Sequence, residues 1–163
     1  MNTQEIARTL ATLFGELVDG APASGGYMLN AGDAGMLRSL DTLPATAAST
    51  LTPTGSSIAA HVDHVRYGLS LMNRWAVEGG DPFADATWDE AWKTSDVDLV
   101  AWQEIRDGLR DEAHRWLQVL KSGREVTDAE FTGMIASIAH FGYHLGAIRQ
   151  ISKDARGPME GTF

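Results

Sequence analysis

The sequence contains no cysteine. This absence excludes disulfide bonds, thiolate metal ligands and a cysteine nucleophile supplied by the chain itself. It fits a reducing compartment. The first residues, Met1 to Glu5, also lack the basic region and apolar run of a secretory signal. We therefore expect a cytoplasmic protein.

Positive charge and long apolar runs are also scarce. Lysine and arginine number 13 against 22 aspartates and glutamates, which gives a net charge of −9. Such a chain repels phosphate backbones and anionic lipid, so we expect neither nucleic acid nor a membrane as partner. The longest weakly polar stretch, residues 131–148, contains two histidines and three glycines. It is too polar for a membrane span and is better explained as a buried core helix.

Helical periodicity dominates what is present. With 163 residues, 44% of them apolar, the chain is expected to form a single domain over residues 1–163. Four segments repeat apolar residues at helical spacing and none alternates as a strand would. The sequence therefore predicts an all-α, antiparallel up-and-down four-helix bundle. Its long helices are predicted over residues 3–18, 56–78, 96–121 and 127–154, with a short helix near 34–43.

The last predicted helix carries the first candidate metal ligands. It opens with a capping box at Thr127 to Glu130 and has no charged residue over 131–148, so most of its circumference should face protein. His140 and His144 lie one turn apart on this helix, a spacing that suits bidentate metal capture. Two core histidines bonded to backbone or to each other would explain the pair equally, because an unsatisfied imidazole costs about 1–3 kcal/mol.

The second long helix offers a further ligand. His61 and His64 both fall on its inward half, and either could meet the pair from the last helix in the bundle interior. The spacing alone does not choose between them. His114, among charged residues of the third helix, is better explained as a surface or capping residue.

Two motifs together resemble the DinB-like superfamily of metal-binding helical bundles. They are SIAAHVDH, from Ser57 to His64, and HFGYHLG, from His140 to Gly146. The resemblance implies that His64, His140 and His144 bind a divalent ion such as zinc, nickel or manganese, with His61 as the alternative second-helix ligand. It also implies a homodimer. Relatives in this family include S-transferases that use a low-molecular-weight thiol and metal-dependent hydrolases.

An open three-histidine site is typical of catalytic metal centres, since a structural zinc site is usually closed by four protein ligands. We therefore expect a metal-dependent enzyme acting on a small-molecule substrate, with thiol-S-transferase or hydrolase chemistry in stress or detoxification. The alternative is a non-catalytic ligand- or metal-binding bundle, because no general base is evident. Asp63 falls on the outward arc of its helix, and Tyr143 is better explained by packing. Trp88 and Trp92 could cover the mouth of the bundle or simply seal a connector.

Overall fold

The computed structural model describes residues 2–158, which form seven α-helices, one short 3-10 helix and no strand. The all-α prediction is thereby confirmed. No helix in this range is long and apolar enough to cross a membrane. The helices are α1 (Thr3–Asp19), α2 (Gly35–Asp41), α3 (Ala45–Ala48), α4 (Ile58–Glu78), α5 (Trp88–Ala91), α6 (Leu99–Lys121) and α7 (Asp128–Ile151), and the 3-10 helix is Lys153–Ala155.

Local capping sets where the long helices begin. The Asn2 side chain accepts a hydrogen bond from the backbone N–H of Glu5 at the start of α1. Ser57 caps α4 in the same way, and Thr127 caps α7 within the predicted capping box. Each cap satisfies a backbone donor that the first helical turn leaves without a partner.

Two long helices are shorter than predicted by three residues or more. The third long helix, α6, begins at Leu99 instead of near Asp96. The last, α7, ends at Ile151, because Ser152 adopts an extended backbone conformation and its hydroxyl caps the 3-10 helix that follows.

The described chain divides into two compact units. One runs to Thr42 and resumes at Leu117, and the other spans Leu43–Trp116. The first unit contains α1, α2, α7, the 3-10 helix and the last turns of α6. The second contains α3, α4, α5 and most of α6.

Aromatic and aliphatic side chains form the core of the first unit, where α1 packs against α2 and α7. Phe14 of α1 meets Phe141 of α7 edge-on, with ring centroids 5.1 Å apart, and neither ring is exposed to solvent beyond 1%. Leu17, Leu145 and Ile148 are also buried in this unit. The apolar side of α7 therefore lies on α1, which fixes the direction in which the remaining faces of α7 point.

A buried carboxylate holds the loop that follows α1. The Glu16 side chain is only 6% exposed and accepts hydrogen bonds from the backbone N–H groups of Tyr27, Met28 and Leu29 at 2.5–2.9 Å. A side chain at Gly26 would overlap this carboxylate, since an added Cβ would lie 2.0 Å from its Oε1 atom. Glu16 thus supplies the acceptors that the loop backbone needs.

A buried ion pair closes the same unit. Asp33 and Arg149 are 1% and 4% exposed, and an Arg149 Nη2 donates to Asp33 Oδ1 at 2.7 Å. The same oxygen accepts from the backbone N–H of Gly35 at 2.8 Å. Arg149 therefore joins the end of α7 to the loop before α2.

Candidate metal centre

The α7 histidines lie side by side, as their spacing predicts. The Nε2 atoms of His140 and His144 are 3.0 Å apart, and the two rings meet edge-on with an interplanar angle of 77°. His144 is 1% exposed. Because α7 buries Phe141 and Leu145 against the core, its helical twist carries this pair onto an adjoining side of the helix.

The spacing of the two nitrogens fits a shared metal ion. Two ligands at about 2.1 Å from one ion would be separated by roughly 3.0 Å at a right angle and roughly 3.4 Å at the tetrahedral angle. The observed 3.0 Å also fits an N–H···N hydrogen bond between one donor and one acceptor ring. A metal ion would take the place of that shared proton without any change of helix geometry.

Burial of two of the histidines, His140 and His61, favours the neutral form that binds metals. Burial lowers the pKa of His140 and of His61 below the ordinary value for histidine. The charged form is disfavoured because it loses solvation. A histidine must be neutral to bind a metal, so less free energy is needed to remove the competing proton near neutral pH.

The second unit places two further histidines on α4. His61 and His64 are 6% and 8% exposed, which agrees with their predicted inward position. The His64 ring is stacked on Trp92, with centroids 4.4 Å apart and an interplanar angle of 25°. His61 meets the same indole edge-on at 5.2 Å, and Trp88 lies 5.6 Å from His64 at a tilt of 49°.

The connector between α4 and α6 brings these tryptophans to α4. Its first part is held by Arg74, which donates to the Pro82 carbonyl at 2.6 Å, and by an edge-on contact of Trp75 with Phe83. Further along, the backbone N–H of Thr87 donates to the Tyr67 hydroxyl at 2.9 Å. The connector thus folds back along α4 instead of extending away from it.

Asp63 corrects an expectation from the helical pattern. The sequence places it on the outward arc of its helix, but it is only 8% exposed. Its carboxylate accepts from Thr94 Oγ1 at 2.7 Å and pairs with Arg66 at 2.6 Å. The connector covers this arc, which a helical wheel drawn for α4 alone cannot show.

Three of the described histidines, His64, His140 and His144, make up a group of candidate metal ligands, and each offers one ring nitrogen. His61 is not a member of this group. His114 is exposed, in agreement with its predicted surface role. The chain therefore has the donors of a metal-binding protein.

One side of α7 is more open than predicted. The lack of charge over residues 131–148 predicts that most of the helix faces protein, yet Ile135 and Tyr143 are 48% and 68% exposed. Ala139 lies between them on the same strip and is also exposed. This uncharged strip is therefore a surface of the described chain. The absence of charge marks the strip in the sequence but does not show that it is exposed.

Sequence reasoning missed the residues that anchor the loops. Glu16 and Asp33 look like ordinary surface carboxylates in the sequence, and their partners are backbone groups or an arginine far along the chain. For Trp92, the sequence does not decide between covering the bundle and sealing a connector, and its stack on His64 was not predicted. The signal for Trp92 in the sequence is its position as an aromatic residue in a mostly polar connector.

Comparison with known proteins identifies a family. A family model described as the DinB superfamily matches residues 28–146. The match spans well over half of the chain and includes all three histidines of the group. No curated protein and no solved structure matches the chain.

Proposed function

Because the chain belongs to the DinB superfamily, we propose that it is a metal-dependent enzyme acting on a small molecule. In this proposal His64, His140 and His144 bind one divalent ion. The observation that carries the proposal is the Nε2 pair of α7, whose 3.0 Å separation suits a shared ion. We further propose that α1, α4, α6 and α7 pack as an antiparallel up-and-down bundle and that the protein is a cytoplasmic homodimer.

The donor set favours some metals over others. Three imidazole nitrogens suit zinc and nickel, whereas manganese prefers a larger share of oxygen ligands. We therefore place zinc or nickel ahead of manganese as the bound ion. Three neutral ligands also leave at least one coordination position open, which is the arrangement of catalytic sites.

A bound ion would supply Lewis acidity, which lowers the pKa of a coordinated water or external thiol. The chain has no cysteine, so any thiol in the reaction comes from a small-molecule cofactor or substrate. Burial lowers the pKa of His140, which favours the neutral form that can bind the ion. The buried face of α4 restricts water around His64, which is 8% exposed. These features support thiol-S-transferase or hydrolase chemistry, and we propose a role in stress or detoxification.

A metal-binding protein without turnover is the second candidate, and Asp63 favours it. This carboxylate lies next to His64 in sequence, but Arg66 and Thr94 already occupy its oxygens. A carboxylate whose oxygens already accept from other donors is poorly placed to take a proton from a substrate. If Asp63 is not the general base, proton transfer must depend on the substrate, on a thiol or on water.

Metal analysis tests the metal binding that both candidate functions require. Protein purified without a histidine tag is stripped with a chelator, reconstituted separately with zinc and nickel, and analysed for bound metal after removal of excess. We expect about one ion per chain for the wild type and a large loss for His140→Ala. His114→Ala is the matched control, because His114 is exposed. Less than about a tenth of an equivalent in the reconstituted wild type would refute the proposed metal site.

Turnover separates the two candidates. The reconstituted protein is assayed against panels of thiol-transfer, ester, amide and lactone substrates. Turnover that His140→Ala abolishes, with its helical circular dichroism retained, would establish the enzyme. Stoichiometric metal without turnover across these panels would favour the binding protein instead.

A further inference from the structure

We propose that Trp92 is a positioning residue that fixes the plane of the His64 imidazole for metal binding. This inference rests on the proposed function. The indole is stacked nearly parallel to the ring of His64, at 4.4 Å and 25°. Trp88 also approaches His64, but at 5.6 Å and a tilt of 49°, so its ring does not form a stack.

A metal ligand needs its ring held in one plane. The terminal torsion of a histidine side chain is broad, so backbone position alone leaves the ring free to turn. Metal-binding histidines are usually oriented by a hydrogen bond from the second ring nitrogen, and loss of that support weakens metal binding. Stacking against a fixed indole restricts the same torsion from the face of the ring, because rotation would drive the imidazole into the indole.

The indole is itself held on both sides. Before it, the backbone N–H of Thr87 donates to the Tyr67 hydroxyl at 2.9 Å. After it, Thr94 Oγ1 donates to Asp63 Oδ2 at 2.7 Å. Both acceptors belong to α4, the helix that carries His64. The connector is therefore fastened to the same stretch of helix whose histidine it supports.

Trp92 also contacts the other α4 histidine. The His61 ring meets the indole edge-on at 5.2 Å and 82°, while His64 meets its face. One side chain thus contacts both candidate ligands in different geometries. This arrangement gives His64 a defined plane and keeps the His61 ring at right angles to the indole.

Substitution of the tryptophan tests the inference through metal affinity. Dissociation constants for zinc and nickel are measured by competition with a chelating dye for wild type, Trp92→Leu, Trp92→Phe and Trp88→Leu. We expect Trp92→Leu to weaken binding about tenfold, the low end of the range for lost support of a metal ligand. Trp92→Phe retains a stacking ring and should restore affinity to within about threefold of wild type. Trp88→Leu, the matched control, should stay within the same threefold range.

A spectroscopic readout distinguishes positioning from general support of the fold. At saturating cobalt, the visible absorption bands report the ligand geometry around the ion. We expect Trp92→Leu to change the bands, whereas Trp88→Leu leaves them as in the wild type. A purely structural role would lower thermal stability but leave the bands unchanged at saturation, and that result would overturn the proposal.

The connector hydrogen bond provides a second test, in which Trp92 itself is not substituted. Thr94→Val removes the bond to Asp63, while Thr87→Val on the other side of α5 leaves the backbone donor to Tyr67 intact. We expect Thr94→Val alone to weaken metal binding, by about threefold to tenfold. If Trp92→Leu fails to fold, Trp92→Phe and Thr94→Val decide the outcome, and equal affinity of both Thr variants would overturn the proposal. Wild-type protein that binds no metal would instead refute the proposed function.

Discussion

Replacing Arg149 by methionine should destabilise the protein far more than breaking one of its exposed ion pairs. Arg149 and Asp33 are 4% and 1% exposed, and their bond of 2.7 Å lies inside the first unit. Methionine fills a similar volume but leaves the Asp33 carboxylate without its counter-ion. A buried charge that loses its partner incurs the cost of desolvation without the compensating attraction.

The structure allows a rough magnitude. Removing one member of a buried pair typically costs about 3–5 kcal/mol. Asp33 keeps the backbone N–H of Gly35 as a donor, at 2.8 Å, which retains part of the stabilisation of its charge. We therefore expect the lower end, about 3 kcal/mol of unfolding free energy. For a chain of this length that corresponds to a fall of roughly 6–12 °C in Tm.

Urea unfolding followed by circular dichroism measures the effect. Arg115→Met is the matched control, since Arg115 pairs with Glu112 at 3.1 Å but its side chain is 58% exposed, and its loss should cost less than about 1 kcal/mol. The double variant Asp33→Asn, Arg149→Met should cost less than Arg149→Met alone, because no unpaired charge is left buried. Equal costs for Arg149→Met and Arg115→Met, or a double variant at least as destabilised as the single one, would refute this reasoning.

Three further changes test local features by denaturant unfolding. Glu16→Gln should cost about 2 kcal/mol because it weakens charge-assisted bonds to the loop backbone; a cost near zero would contradict the anchoring role of Glu16. Thr127→Ala should cost about 1 kcal/mol through loss of the α7 cap, and an unchanged midpoint would contradict it. The backbone N–H of Thr127, followed by Arg124, lowers the pKa of Glu130 below its ordinary 4.5. The stabilisation that the Glu130 carboxylate contributes is therefore present above this ordinary pKa and is lost as the pH falls through the lower pKa of the folded state. In Glu130→Gln, the unfolding free energy should change less with pH over this range.

The long helices could be predicted from the sequence because their signals are local. Apolar residues recur at helical spacing, and caps such as Ser57 and Thr127 lie within a few residues of the groups they satisfy. The pairing of His140 with His144 follows from the same local geometry. Helix ends were predicted less accurately, and α6 begins at Leu99 instead of the predicted start at Asp96.

The loops could not be predicted because their contacts are distant in sequence. Asp33 and Arg149 are 116 positions apart, and nothing near either residue indicates the other. Asp63 was predicted to face outward because a helical wheel shows one helix without the connector that covers it. The spacing of His61 and His64 likewise could not distinguish them, since their difference lies in how Trp92 contacts each ring.

The buried Asp33–Arg149 pair has a practical consequence for choosing fragments to express. The family match ends at residue 146 and begins at residue 28. A fragment cut to those limits would retain Asp33 but lose Arg149, and it would also lose α1 with the Phe14 ring that packs on Phe141. Such a fragment would carry every proposed ligand and yet expose the core face that orients two of them. Boundaries drawn from similarity alone would therefore produce an insoluble or unfolded product, whereas residues 2–158 retain both contacts.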